Sequence, residues 1–227
     1  MRRVGILGGM GPQATILLMQ KVLEAVPAQD DAGHIPLIVD QNPQVPSRIR
    51  RLIEGVGEDP GPVLADMARR LVAGGAEALA MPCNTAHHYA PMIRAAVDVP
   101  FIDMVALSVQ RAVGLAEGGQ VGILASPAVR RIGLFDAAFA GTGIRPVYPD
   151  DEAALLAAIR QIKAGGPAPE VAQVLRVASD GLLRRGATVQ MIACTEFSLL
   201  AGATAGGVTA FDTLDVLVGA IRDFATG

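Results

Sequence analysis

The chain repeats itself, and the repeat limits what it can fold into. Val4-Gly5-Ile6-Leu7 returns as Val121-Gly122-Ile123-Leu124. Gly75-Ala76 begins eight residues before Cys83, and Gly186-Ala187 begins eight before Cys194. Gly5 precedes Cys83 by 78 residues and Gly122 precedes Cys194 by 72; Phe101-Ile102-Asp103 follows the first cysteine much as Ala210-Phe211-Asp212 follows the second. Self-similarity on this scale implies two copies of one βαβ-type unit. Two parallel sheets related by a pseudo-twofold axis would bring together their C-terminal strand ends, where α/β folds bind ligands. The expected fold class is therefore α/β: two pseudo-symmetric Rossmann-like lobes with parallel sheets and an active site in the cleft between them. Residues 1–101 with 208–227 are assigned to the first lobe and 102–207 to the second.

Composition agrees with this reading. Of the 227 residues 51% are hydrophobic and only 4% aromatic, as suits close-packed helices on a parallel sheet. The net charge is -3 and no block of like charge occurs, so neither a nucleic acid nor an anionic membrane is expected as partner. Two cysteines are too few for a disulfide framework or a zinc knuckle. Met1-Arg2-Arg3 and the uncharged run to Gln20 imitate a signal peptide. The turn residues Gly8-Gly9-Met10-Gly11-Pro12 interrupt that run, however, and Val4 to Leu7 recurs in mid-chain. The segment reads as a core strand and the protein as cytoplasmic.

Along the first half, residues 3–7 predict a strand, Gly8 to Gly11 a turn that lets backbone approach a ligand, and Pro12 the first turn of a helix to about Val26. Ile35 to Val39 is a strand, 42–48 a stiff polar loop, and Asp59 to Pro62 the start of a helix ended by Gly74-Gly75. Glu77 to Met81 is the strand before Cys83, with a helix from Pro91 to Val97 and a short strand at Phe101-Ile102. The second half predicts strands at 120–124, 144–148, 189–193 and 208–211. Its helices are expected at 128–139, at 151–163, after Gly165-Gly166-Pro167 as far as Arg185, and at 214–224.

Both cysteines sit where a strand gives way to a small polar pair that could open a helix. Cysteine is a common core filler. At a strand-to-helix switch, though, the amides of Asn84-Thr85 and Thr195-Glu196 can cradle an anion and favour thiolate. Two opposed thiols can carry two-base proton transfer, one taking a proton from a substrate carbon while the other donates to the opposite face. That chemistry inverts a stereocentre without a cofactor.

These residues carry a family resemblance. Gly5-Ile6-Leu7-Gly8-Gly9-Met10-Gly11-Pro12, Asn42-Pro43-Gln44-Val45-Pro46, Gly57-Glu58-Asp59-Pro60, Met81-Pro82-Cys83-Asn84-Thr85-Ala86-His87 and Cys194-Thr195-Glu196 resemble the aspartate/glutamate racemase superfamily, most closely its aspartate racemase branch. The resemblance implies two α/β lobes, cofactor-independent racemisation of an acidic amino acid, and a homodimer. It makes Cys83 and Cys194 the acid/base pair and gives the α-carboxylate to Asn84, Thr85 and Thr195. Arg48 and Lys163 match basic positions that hold the second carboxylate, and Met10 lines the pocket. The chain departs from the usual pattern in three places. Pro46-Ser47-Arg48-Ile49 stands where Pro-Asp-Arg-Thr is usual, and Ala193 where Gly is usual. Ser126-Pro127-Ala128-Val129 replaces a Thr-Gly-Thr segment, leaving Ser126 as its only hydroxyl.

The remaining candidates have plainer readings. His87 and His88 lack a third metal ligand at suitable spacing and are expected to cap backbone or line the pocket entrance. Glu196 either polarises Cys194 or is an ordinary first-turn acid. No nucleotide fingerprint is complete, and no cofactor or metal is expected. Besides the racemase, two functions fit: a decarboxylase or isomerase of a small diacid, and a non-catalytic binder of small carboxylates.

Overall fold

The computed structural model describes all 227 residues. The chain divides into two compact units, Met1–Met104 with Leu214–Gly227, and Val105–Thr213. No helix is long and apolar enough to cross a membrane.

The first unit begins with β1 (Val4–Gly8), α1 (Pro12–Glu24), β2 (Leu37–Gln41), a short α2 (Arg48–Leu52), α3 (Pro60–Ala73) and β3 (Ala78–Ala80). A 3₁₀ turn (Thr85–Tyr89), α4 (Ala90–Ala96) and β4 (Phe101–Ile102) complete its sheet. The second unit holds α5 (Met104–Ala116) from its second residue on, β5 (Gly119–Ala125), α6 (Pro127–Arg131), α7 (Leu134–Ala138), β6 (Ile144–Val147), α8 (Glu152–Gly165), α9 (Pro169–Arg184) and β7 (Val189–Ala193). A 3₁₀ stretch (Phe197–Ala203), β8 (Thr209–Asp212) and α10 (Thr213–Thr226) end the chain, α10 returning to the first unit.

Both sheets are four-stranded and parallel, ordered β2-β1-β3-β4 and β6-β5-β7-β8. β1 is buried from end to end, as expected for a parallel strand covered on both faces. Its side chains alternate between two cores. Leu7 joins Leu64, Met67 and Leu71 of α3, while Val4 and Ile6 join Leu18 of α1 and Leu214, Leu217 and Ile221 of α10.

The repeated glycines mark where a helix rests on a strand. A Cβ on Gly5 would lie 2.8 Å from both Ala76 and Leu79 and 3.1 Å from Leu71. On Gly122 it would lie 2.9 Å from Leu182, 3.0 Å from Gln190 and 3.4 Å from Ala187. Leu71 and Leu182, Ala76 and Ala187, Leu79 and Gln190, and Cys83 and Cys194 are each 111 positions apart. The two units thus pack the same helix on the same strand in one register.

Several elements differ from expectation. β8 pairs with β7, so residues 209–212 belong to the second sheet and not with the first lobe. The helix read at 128–139 is two, α6 and α7, because Gly133 adopts a left-handed φ of 62° between them. β2 starts two residues late: Pro36 has no N–H for a ladder, and its carbonyl instead accepts from Val4. α2 and α5 had no counterpart in the sequence reading.

Candidate active site

In the second unit β7 runs beside β5 with Ala193 opposite Ala125. Cys194 and Ser126 therefore leave adjacent strands at the same level. Ser126 caps α6, its hydroxyl accepting from the Ala128 amide at 3.3 Å. Cys194 is buried, and its thiol donates to Glu196 Oε2 at 3.2 Å. The other carboxylate oxygen, Oε1, is paired with the ammonium of Lys163, in the last turn of α8. Burial, followed by the negative charge and hydrogen bond of Glu196, pushes the Cys194 thiol well above its ordinary range. Lys163 and the Glu196 amide act the other way. The balance is a protonated thiol aimed at a carboxylate that an ammonium holds in place. Of the two readings of Glu196, contact with Cys194 is the one observed. Thr195 is buried between these groups in sequence.

In the first unit β1 and β3 are parallel with Ile6 opposite Ala80, so the glycine turn and Cys83 leave one edge of the sheet. Met10, Val45, Cys83 and Tyr89 share one buried cluster. Asn84 is buried beside Cys83, and Thr85, partly buried, opens the 3₁₀ turn. Arg48 Nη1 donates to the Val45 and Pro46 carbonyls at 3.2 and 2.9 Å, fastening the loop that carries it. Ser47 caps α2 by accepting from the Arg50 amide. Tyr89, not singled out from sequence, feels the charges of Asp59, Arg51 and Arg48. Its position six residues after Cys83 was the available signal.

One expectation changes here. The chain after each cysteine opens as a 3₁₀ turn and not an α-helix, and after Cys83 that turn runs straight into α4. The glycine turn also serves its own unit: Gly9, at φ +89°, lies so close to Asn42 that a Cβ would sit 2.4 Å from its carbonyl carbon. Gly9 itself is in close approach to backbone of the loop after β2.

His87 caps backbone. It lies within hydrogen-bond reach of the Cys83 carbonyl (Nδ1, 2.8 Å) and the Met104 amide (Nε2, 3.2 Å). A carbonyl only accepts and an amide only donates, so the ring is neutral with its proton on Nδ1. Burial lowers its pKa from 6.5. The unfolded chain then binds this proton more readily than the folded one, and stability falls as pH drops through 6.5. Urea unfolding between pH 7.5 and 5 is expected to show that loss in the native protein and to show less of it in His87→Gln. Equal slopes would remove His87 as its source.

The fold matches that of an aspartate racemase from Picrophilus torridus, with a TM-score of 0.88 at 23% identity over 99% of this chain and 94% of that one. In sequence, the chain is 29% identical over 140 residues to a glutamate racemase of Acidothermus cellulolyticus, 60% of this chain and 51% of that protein. It is 31% identical over 106 residues to the broad specificity amino-acid racemase RacX of Bacillus subtilis, 45% of each. These matches take in about half the length of the curated relatives. Residues 7–221 match the Asp/Glu/Hydantoin racemase family, and the chain belongs to that family.

Proposed function

We propose that this chain is a cofactor-independent amino-acid racemase that interconverts L- and D-aspartate, or a related acidic amino acid, through Cys83 and Cys194. The observation that carries the reading is the Cys194 thiol donating to Glu196 while Lys163 holds the carboxylate. Cys83 takes the α-proton from one face of the substrate carbon, and the protonated Cys194 delivers its own to the other face. In the reverse direction Glu196, already accepting the thiol hydrogen, helps draw that proton off. Lys163 then serves the acid/base group first, which leaves Arg48 as the principal holder of the side-chain carboxylate.

Glu196→Gln removes the charge that raises the thiol. In a Cys83→Ser background, alkylation of Cys194 by iodoacetamide should therefore begin at lower pH in Glu196→Gln than with Glu196 present. Racemisation by the single Glu196→Gln variant should fall by about tenfold or more. An unmoved alkylation profile would separate Glu196 from thiol control.

The substrate class is tested by proton NMR in deuterium oxide, following loss of the α-proton signal of L-aspartate and L-alanine. Exchange of aspartate should exceed that of alanine, and Arg48→Ala should reduce the aspartate rate far more than the alanine rate. Equal losses would take Arg48 out of specificity. Release of carbon dioxide would identify a decarboxylase, and binding of aspartate without exchange a carboxylate binder.

A further inference from the structure

Helix α9 carries two apolar stripes where a surface helix needs one. Val171, Leu175 and Leu182 are buried. Val174, Val177, Ala178 and Gly181 form a second stripe at helical spacing, and Val177 is 55% exposed. This second stripe does not face the sheet. With Leu155 of α8 it walls a cavity of about 310 Å³, within the range of small-molecule sites. Gly181 leaves that wall open: apart from its chain neighbours and its own helix's backbone, the one atom within 4 Å of where its Cβ would sit is Arg184 Nη2, at 3.8 Å.

The charged groups around the cavity are unevenly committed. Arg185 Nη1 donates to the Tyr148 carbonyl and to Asp150 Oδ1, both at 2.8 Å. Asp151 caps α8, accepting from the Ala154 amide at 2.9 Å. Both acids are thus engaged, while the Arg184 guanidinium has no hydrogen-bond or ion-pair partner and stands over the bare backbone of Gly181. An apolar wall beneath an uncommitted guanidinium is complementary to a molecule with an apolar body and one anionic head.

We infer that the cavity between α8 and α9 is a binding site for a small amphipathic carboxylate, its aromatic or branched body against Val174, Val177 and Leu155 and its carboxylate on Arg184. The site uses none of the residues assigned to proton transfer, so it stands or falls independently of the racemase reading.

The test titrates 4-phenylbutyrate into the full ¹⁵N-labelled protein, with 4-phenylbutyramide as uncharged control. Amide shifts should centre on Ala154, Leu155, Val177 and Gly181. The amide control and the Arg184→Gln variant should each bind about tenfold more weakly, and Gly181→Leu should abolish binding by filling the cavity. Arg184 is exposed, so Arg184→Gln stays informative even if Gly181→Leu fails to fold. The inference is overturned by shifts centred elsewhere, by no shifts at millimolar probe, or by equal affinity of carboxylate and amide. Concentration-dependent self-association that covers this face and excludes the probe would also overturn it, in favour of a second copy of the chain.

Discussion

Cys83→Ala and Cys194→Ala should each slow racemisation of aspartate by about 10² to 10⁴, the range that one positioned acid/base group contributes. Two-base transfer divides the work by face, so neither thiol can substitute for the other, and the double variant should lose little beyond either single one. Chiral chromatography of the product, started separately from L- and D-aspartate, reads the effect in both directions. The protonated state of Cys194 adds an asymmetry. It is the ready donor when Cys83 abstracts and the reluctant base in the other direction, so the two directions should differ in their dependence on pH above neutrality. A single variant retaining more than about a tenth of native activity would rule out the division of labour, and one dispensable cysteine would point to single-thiol chemistry.

Gly9→Ala should cost about 3 kcal/mol or more of folding stability, from a left-handed φ (roughly 1–2 kcal/mol) and forced overlap (roughly 1–3). The overlap cannot relax cheaply, because its partner is backbone. The carbonyl carbon, oxygen and nitrogen of Asn42 would lie 2.4, 2.5 and 2.6 Å from the new Cβ. The turn is also tied in place: the Gly9 amide donates to Thr15 Oγ1 at 2.9 Å, Thr15 Oγ1 donates to the Gly11 carbonyl at 3.2 Å, and the Asn42 amide donates to Gly8. Gly141 supplies the control, having φ +78° with nothing within 4 Å. Gly141→Ala should show the conformational cost alone, about 1 kcal/mol. Equal losses in chemical denaturation would mean that the overlap at Asn42 is absorbed.

The doubled architecture was legible because its marks are local and steric. A glycine under a packed helix, an alanine after a helix end and a cysteine at a strand end keep their spacing wherever the unit is copied. α6 and α7 were run together because Gly133 inside an apolar pattern reads equally as a tolerated helix residue or a left-handed break. α5 went unread because it follows Asp103 at once, with no proline or glycine to announce it. At the site, the cysteines and their polar neighbours could be picked out in line. The pairing of Lys163 with Glu196 could not, since 33 positions separate them and only the folded second unit brings them together. Tyr89 carries one hint in line, its place six residues after Cys83, but its relation to Met10 and Val45 exists only once the sheet has formed.

The return of α10 to the first unit has a consequence for biosynthesis. Residues Val105–Thr213 form one uninterrupted stretch, so the second sheet can close as soon as its last strand has left the ribosome. The first unit has no such freedom. One side of β1 lies against Leu214, Leu217 and Ile221, and the Arg2 amide donates to the carbonyl of Ala225. The half that is translated first must therefore wait, with Val4 and Ile6 covered only by α1, until α10 emerges. A released chain ending at Thr213 would hold every strand of the second sheet and lack the helix that closes the first unit, reversing the usual N-to-C order of maturation.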